Sequence, residues 1–129
     1  MTILGIETSC DETAVALVRA TRGRFEVISE AVASQINIHR QYGGVVPEVA
    51  ARNHLLSIMP LIERVTRKRK ADVIAATTGP GLITSLLVGA TAGRTLAHLW
   101  NKPFVSVNHI EGHIYANWLK PSLRGGAQP

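Results

Sequence analysis

Between Asp72 and Arg94 the chain carries no charged side chain, and that run limits the folds open to it. A stretch this long must leave water, and about 20 apolar residues suffice to cross a bilayer. Gly79-Pro80-Gly81 interrupts it, however, and a helix does not continue through such a triplet. Asp72, Arg94 and His98 also flank it closely. The run therefore reads as a strand (Asp72 to Thr77), a tight turn and a helix (Leu82 to Trp100) buried in a core, not as a membrane span. Gly89, Gly93 and Ala97 recur at i, i+4 and i+8 on that helix. Such a stripe lets a neighbour approach closely, whether inside the chain or on a second subunit.

The remaining elements follow from periodicity and punctuation. Thr2 to Glu7, Thr13 to Arg19 and Phe25 to Ser34 read as strands, with a polar hairpin-like turn between the first two. Gln35 to Pro47 reads as loop. Pro47 suits the first turn of a helix, on which Leu55, Ile58, Ile62 and Val65 recur at helical spacing. Pro60 is an internal flaw there and predicts a kink. Pro103 to Val107 reads as another strand, feeding a last helix. Three strands followed by helix, strand, helix, strand, helix predict an α/β fold, a mixed sheet covered by helices. The 129 residues, 46% apolar and 18% charged, suffice for one domain over 1–120, with 121–129 as a frayed tail.

Several segments carry groups suited to chemistry. Thr8-Ser9-Cys10-Asp11-Glu12-Thr13 packs hydroxyls, a thiol and two carboxylates into one turn, where a purely structural hairpin would favour a glycine-bearing pair. The hydroxyls and amides of Thr8 and Ser9 can bind phosphate or carboxylate oxygens. Asp11 and Glu12 can bind a cation, accept a proton or orient a substrate. A polar surface turn would look the same. Cys10, the sole cysteine, excludes an internal disulfide, fits a reducing compartment and reads as a small buried hydrophobe. Gly79-Pro80-Gly81 ends a strand before a helix, where free N–H groups attract anions, although no Walker A lysine follows. Tyr42 lies in a loop and helix start rich in glycine and charge, with His39 upstream and Arg52 and His54 downstream, and loops of that mixture are often functional. His39 and His54 themselves read as solvent-facing. The net charge of +5, partly from Arg67 to Lys70, permits contact with nucleic acid without requiring it.

His109 and His113 stand four residues apart, so a helix would stack them on one face and let both rings reach one divalent ion. Two ligands are fewer than the three a catalytic zinc takes from its protein, and structural histidines share the spacing. A zincin mechanism does not fit. Glu111 lies two residues from each histidine, about 200° around the helix, and points away from any ion they share.

Four blocks together resemble the TsaD (YgjD, Gcp) family of tRNA N6-adenosine threonylcarbamoyltransferases. They are Gly5 to Thr13, Tyr42 to Glu48, Thr78 to Leu82 and Asn108 to His113, in the family's order. The resemblance implies an actin-like ATPase lobe of the sugar kinase and Hsp70 type. It also implies transfer of a threonylcarbamoyl group from threonylcarbamoyl-AMP, the co-substrate, to N6 of adenosine 37 in tRNAs reading ANN codons. By that likeness His109 and His113 ligate iron or zinc, with a third ligand, an aspartate, from a second lobe. Asp11 and Glu12 lie beside the transferring group, and the loop from Tyr42 to Arg52 walls the site. The implied partners are tRNA, a TsaB-like paralogue docked on the first-lobe helices and a TsaE-like ATPase, in the cytoplasm and without a membrane. The second lobe is not among these residues, so the expectation is a first lobe that binds metal weakly and transfers nothing alone. The competing expectation is a non-catalytic, TsaB-like assembly module.

Overall fold

A computed structural model describes residues 1–120, the expected domain; the expected tail, 121–129, lies outside the described residues. In chain order the elements are β1 (Thr2–Glu7), β2 (Glu12–Thr21), β3 (Arg24–Ser34), α1 (Ile36–Arg40), α2 (Pro47–Thr66), β4 (Val73–Gly79), α3 (Ile83–Trp100), β5 (Phe104–Asn108), α4 (His109–Tyr115) and β6 (Leu119–Lys120). They build a six-stranded sheet in the order β5-β4-β1-β2-β3-β6.

β1, β2 and β3 form an antiparallel meander. Its second turn is tight because Arg22 and Gly23 both adopt positive φ, 44° and 77°, which matches hairpin twist. β4 and β5 run parallel to β1, so each needs a crossover, and α2 and α3 supply them. The Thr2 amide and hydroxyl both donate to Asp72 Oδ2, at 2.7 and 3.1 Å, tying the start of β1 to the approach to β4.

Alternation sorts the strand residues onto two faces. Leu4, Ile6, Val15, Leu17, Ala31, Ile74 and Ala76 face the helices and join Ile58, Leu61, Ile62 and Val65 of α2 and Leu96 and Ala97 of α3 in the core. The small-residue stripe of α3 is spent inside this core. A Cβ on Gly89 would sit 2.5 Å from Thr8 Oγ1, and one on Gly93 2.8 Å from the Phe104 ring. The opposite face carries Gly5, Ala14, Ala16 and Ala75, whose small side chains leave a trough of about 420 Å³ beneath α4.

The expected elements are present with boundaries shifted by up to about two residues, and α2 is a single helix through Pro60. Two pieces differ. The expected loop after β3 contains the one-turn helix α1, and β6 adds a two-residue parallel edge strand beside β3. No helix among the described residues is long and apolar enough to cross a membrane.

Candidate functional site

β1, β4 and β5 point the same way, and the chemistry gathers where they end. Ligands of open α/β sheets settle at the carboxyl ends of parallel strands. Glu7 ends β1, Thr77 lies near the end of β4, and β5 passes directly into α4 at His109. Asn108 caps α4, its side chain accepting from the amides of Ile110 at 2.9 Å and Glu111 at 3.3 Å.

That cap starts the helix so that both histidines face back over the sheet end. His109 Nε2 and His113 Nε2 lie 3.0 Å apart, with the rings edge to face. Two imidazole nitrogens sharing one ion, each about 2.0–2.1 Å from it, sit about 3.0–3.4 Å from one another. The pair therefore fits a common divalent ion as two donors. Among the described residues no third histidine, cysteine or carboxylate joins them at ion-binding distance. Glu111 is exposed.

Glu7 lies on the far side of His109. Its Oε2 is 3.1 Å from His109 Nδ1 and also accepts from the Thr77 hydroxyl at 2.5 Å, while Oε1 accepts from the Ser9 amide at 2.5 Å. Burial by itself would raise the pKa of this carboxyl, but hydrogen bonds from Ser9, Thr77 and His109 outweigh it and hold the group below its ordinary value. Ser9 Oγ lies 3.2 Å from the same Nδ1. Sequence reading passed Glu7 over as part of a strand. The available signal was its place on the face with Gly5, a carboxylate closing an apolar strand.

The Gly79-Pro80-Gly81 turn comes down onto Ser9. Ser9 C=O accepts from Leu82 N–H at 2.9 Å, and a Cβ on Gly81 would stand 2.7 Å from that oxygen. Only a glycine lets the two backbones meet there. The Gly79–Pro80 peptide bond is cis. Ser9, Gly79, Pro80, Gly81, His109 and His113 thus share one end of the sheet, and the amino end of α3 opens beside them.

Other candidates are placed differently. Thr8 is fully buried and its hydroxyl is committed, donating to Ser85 C=O at 2.6 Å and accepting from Gly89 N–H at 3.1 Å. Its side chain staples α3 to the sheet and is not open to a substrate. Asp11 is half-buried on the turn after β1 and Glu12, the first residue of β2, is exposed; among the described residues neither joins the two histidines in a metal-binding group. Tyr42 is exposed on its loop. Burial, with the Asp11 charge adding to it, pushes the Cys10 thiol up, so it is a poor nucleophile near neutral pH.

His39 and His54, expected at the surface, are buried. His54 Nδ1 accepts from the Thr13 hydroxyl at 2.8 Å and its Nε2–H donates to Cys10 C=O at 2.9 Å, so α2 grips the acidic turn. His39 Nδ1 accepts from Val46 N–H at 3.2 Å, and Nε2 meets Gln35 Oε1 at 2.8 Å, closing the loop that bears Tyr42.

Thermomicrobium roseum and Crocosphaera subtropica each have a tRNA N6-adenosine threonylcarbamoyltransferase 55% identical over 92% of this chain. The chain spans about a third of the length of these curated relatives. YeaZ of Pseudomonas aeruginosa superposes with a TM-score of 0.58 at 20% identity, covering 89% of this chain and 48% of its own. RuvC of Thermus thermophilus superposes at 0.57 with 12% identity, covering 84% of this chain and 64% of its own. The fold is accordingly an actin-like lobe. A family profile described as "TsaD: tRNA N6-adenosine threonylcarbamoyltransferase" matches residues 26–128, most of the sequence, and the chain belongs to that family.

Proposed function

We propose that this chain is the first lobe of a tRNA N6-adenosine threonylcarbamoyltransferase and that His109 and His113 supply two ligands to a divalent ion, iron or zinc. The reading is carried by the 3.0 Å separation of the two Nε2 atoms at the carboxyl ends of three parallel strands. Such an ion would act as a Lewis acid on the threonylcarbamoyl group, which threonylcarbamoyl-AMP delivers to N6 of adenosine 37 of tRNA. The chain's own residues hold and orient. Ser9 and the Gly79-Pro80-Gly81 turn, with the amino end of α3, form the anion-facing wall. Asp11 and Glu12, which make no ion pair among the described residues, would face the reacting amine or the threonyl moiety. The third ligand and the rest of the nucleotide pocket come from the part of the relatives that this chain does not span.

Calorimetric titration with zinc tests this reading. Wild type should bind one ion weakly, and His109→Ala and His113→Ala should each abolish the heat. Equal heats from all three proteins would remove the metal from the proposal. The 129-residue chain alone should transfer nothing to tRNA.

The second reading, a non-catalytic assembly module, draws on the outward faces of α2 and α3. Leu55, Leu56 and Met59 on α2 and Ile83 and Leu87 on α3 are exposed, Ile83 by 76%. A TsaB-like paralogue docked there would cover them, with a TsaE-like ATPase joining the assembly in the cytoplasm. The metal titration discriminates the two readings: loss of heat in the histidine variants favours the transferase lobe, and equal heats favour the module.

A further inference from the structure

We infer that Glu7 is a positioning residue that fixes the tautomer and direction of His109, an inference that rests on the metal reading above. The carboxylate is itself held from two strands, by the Ser9 amide following β1 and by the Thr77 hydroxyl of β4. Its direction is therefore set by the sheet, independently of α4. The Ser9 amide donates to one oxygen and the Thr77 hydroxyl to the other, so the carboxylate serves there as an acceptor on both oxygens. Against such a group His109 Nδ1 carries the proton, and Nε2 keeps the lone pair that faces His113. Ser9 Oγ competes for the same Nδ1 at 3.2 Å and, as a donor, would reverse the tautomer. A charge-assisted hydrogen bond is about twice as strong as a neutral one, so Glu7 decides the outcome.

Glutamine has nearly the same shape and cannot do this. With its amide oxygen towards Nδ1, its NH2 confronts the Ser9 N–H. With the NH2 towards Nδ1, His109 becomes protonated at Nε2 and cannot ligate. Glu7→Gln should therefore weaken zinc binding roughly 10- to 100-fold. In the metal-free protein it should also move His109 from the Nδ1–H to the Nε2–H tautomer. Glu30, an exposed carboxylate lining the same trough without a hydrogen bond to His109, separates positioning from simple charge. Glu30→Gln should change neither quantity beyond about twofold.

The experiment is zinc calorimetry on wild type, E7Q and E30Q, with circular dichroism as a check of folding and long-range nitrogen–proton NMR of the metal-free imidazoles. If wild type binds no zinc, the metal reading fails while the tautomer still tests Glu7. If E7Q matches wild type in both affinity and tautomer, or if E30Q loses as much affinity, the positioning role is overturned and the metal reading stands. Should E7Q fail to fold, the wild-type spectrum decides alone: an Nε2–H tautomer for His109 would overturn the inference, and Nδ1–H supports it.

Discussion

His54 illustrates how a single residue escapes sequence reading. It follows Arg52 and Asn53 and precedes two leucines that are exposed, and nothing within a helical turn announces that Thr13 and Cys10, some forty positions earlier, will close over it. Partners distant in sequence are visible only after folding, and His39 was misjudged for the same reason. His109 and His113 were legible because both lie on one helical turn. Glu7 was not, because its role depends on β4 and α4 reaching the end of β1. His54→Ala leaves a cavity and orphans a buried hydroxyl and a buried carbonyl, which should cost about 2–4 kcal/mol in urea denaturation. Burial holds the His54 pKa below 6.5, against the opposing pull of the Cys10 carbonyl and the Glu7 and Asp11 charges. The unfolded chain thus takes up the proton first as pH falls. The stabilisation from neutral His54 is complete above about pH 6.5 and is lost as pH drops through the folded pKa. The penalty of His54→Ala should therefore be larger at about pH 7.5 than at about pH 5.5, and a pH-independent penalty would contradict a neutral buried imidazole.

At the scale of elements, legibility followed local signal strength. β1, α2 and α3 were read closely because alternation, a proline at the first helical position and a long uncharged run are strong markers. α1 is five residues without a side-chain cap and β6 is two residues, too short for periodicity to register. The stripe on α3 was visible, but its partner, the β1 end at Thr8, was not. Its glycines now separate two effects of one substitution. Gly89→Ala improves helix propensity by about 1 kcal/mol yet drives a methyl into Thr8 Oγ1, and α3 must move outwards with the sheet contact. A net loss of about 1–3 kcal/mol is expected. Gly112→Ala, on α4 with nothing within 4 Å of the added carbon, gains the propensity term alone. Urea midpoints should move in opposite directions, and a stabilising Gly89→Ala would show that α3 yields to the methyl at little cost.

At the scale of the whole molecule, the described residues form a sheet covered by α2 and α3 on one side, with α4 over the other. That asymmetry leaves two apolar surfaces, the trough beneath α4 and the outward faces of α2 and α3, where Leu56 is 71% and Leu87 56% exposed. Apolar side chains at that exposure on adjacent helices favour association when a partner covers them. Their removal from water also contributes little to the fold itself, because they are already wet. Leu56→Lys with Leu87→Lys should therefore leave the melting temperature almost unchanged, within the ±0.5 kcal/mol typical of surface changes. Sedimentation velocity should detect concentration-dependent association of the wild-type chain, and the double variant should reduce it. Unchanged association would move the contact to the trough, where a bulky Gly5→Leu substitution would then be the one to weaken it. Loss of both fold and association would mean that the two leucines support α2 and α3 from outside, contrary to their exposure.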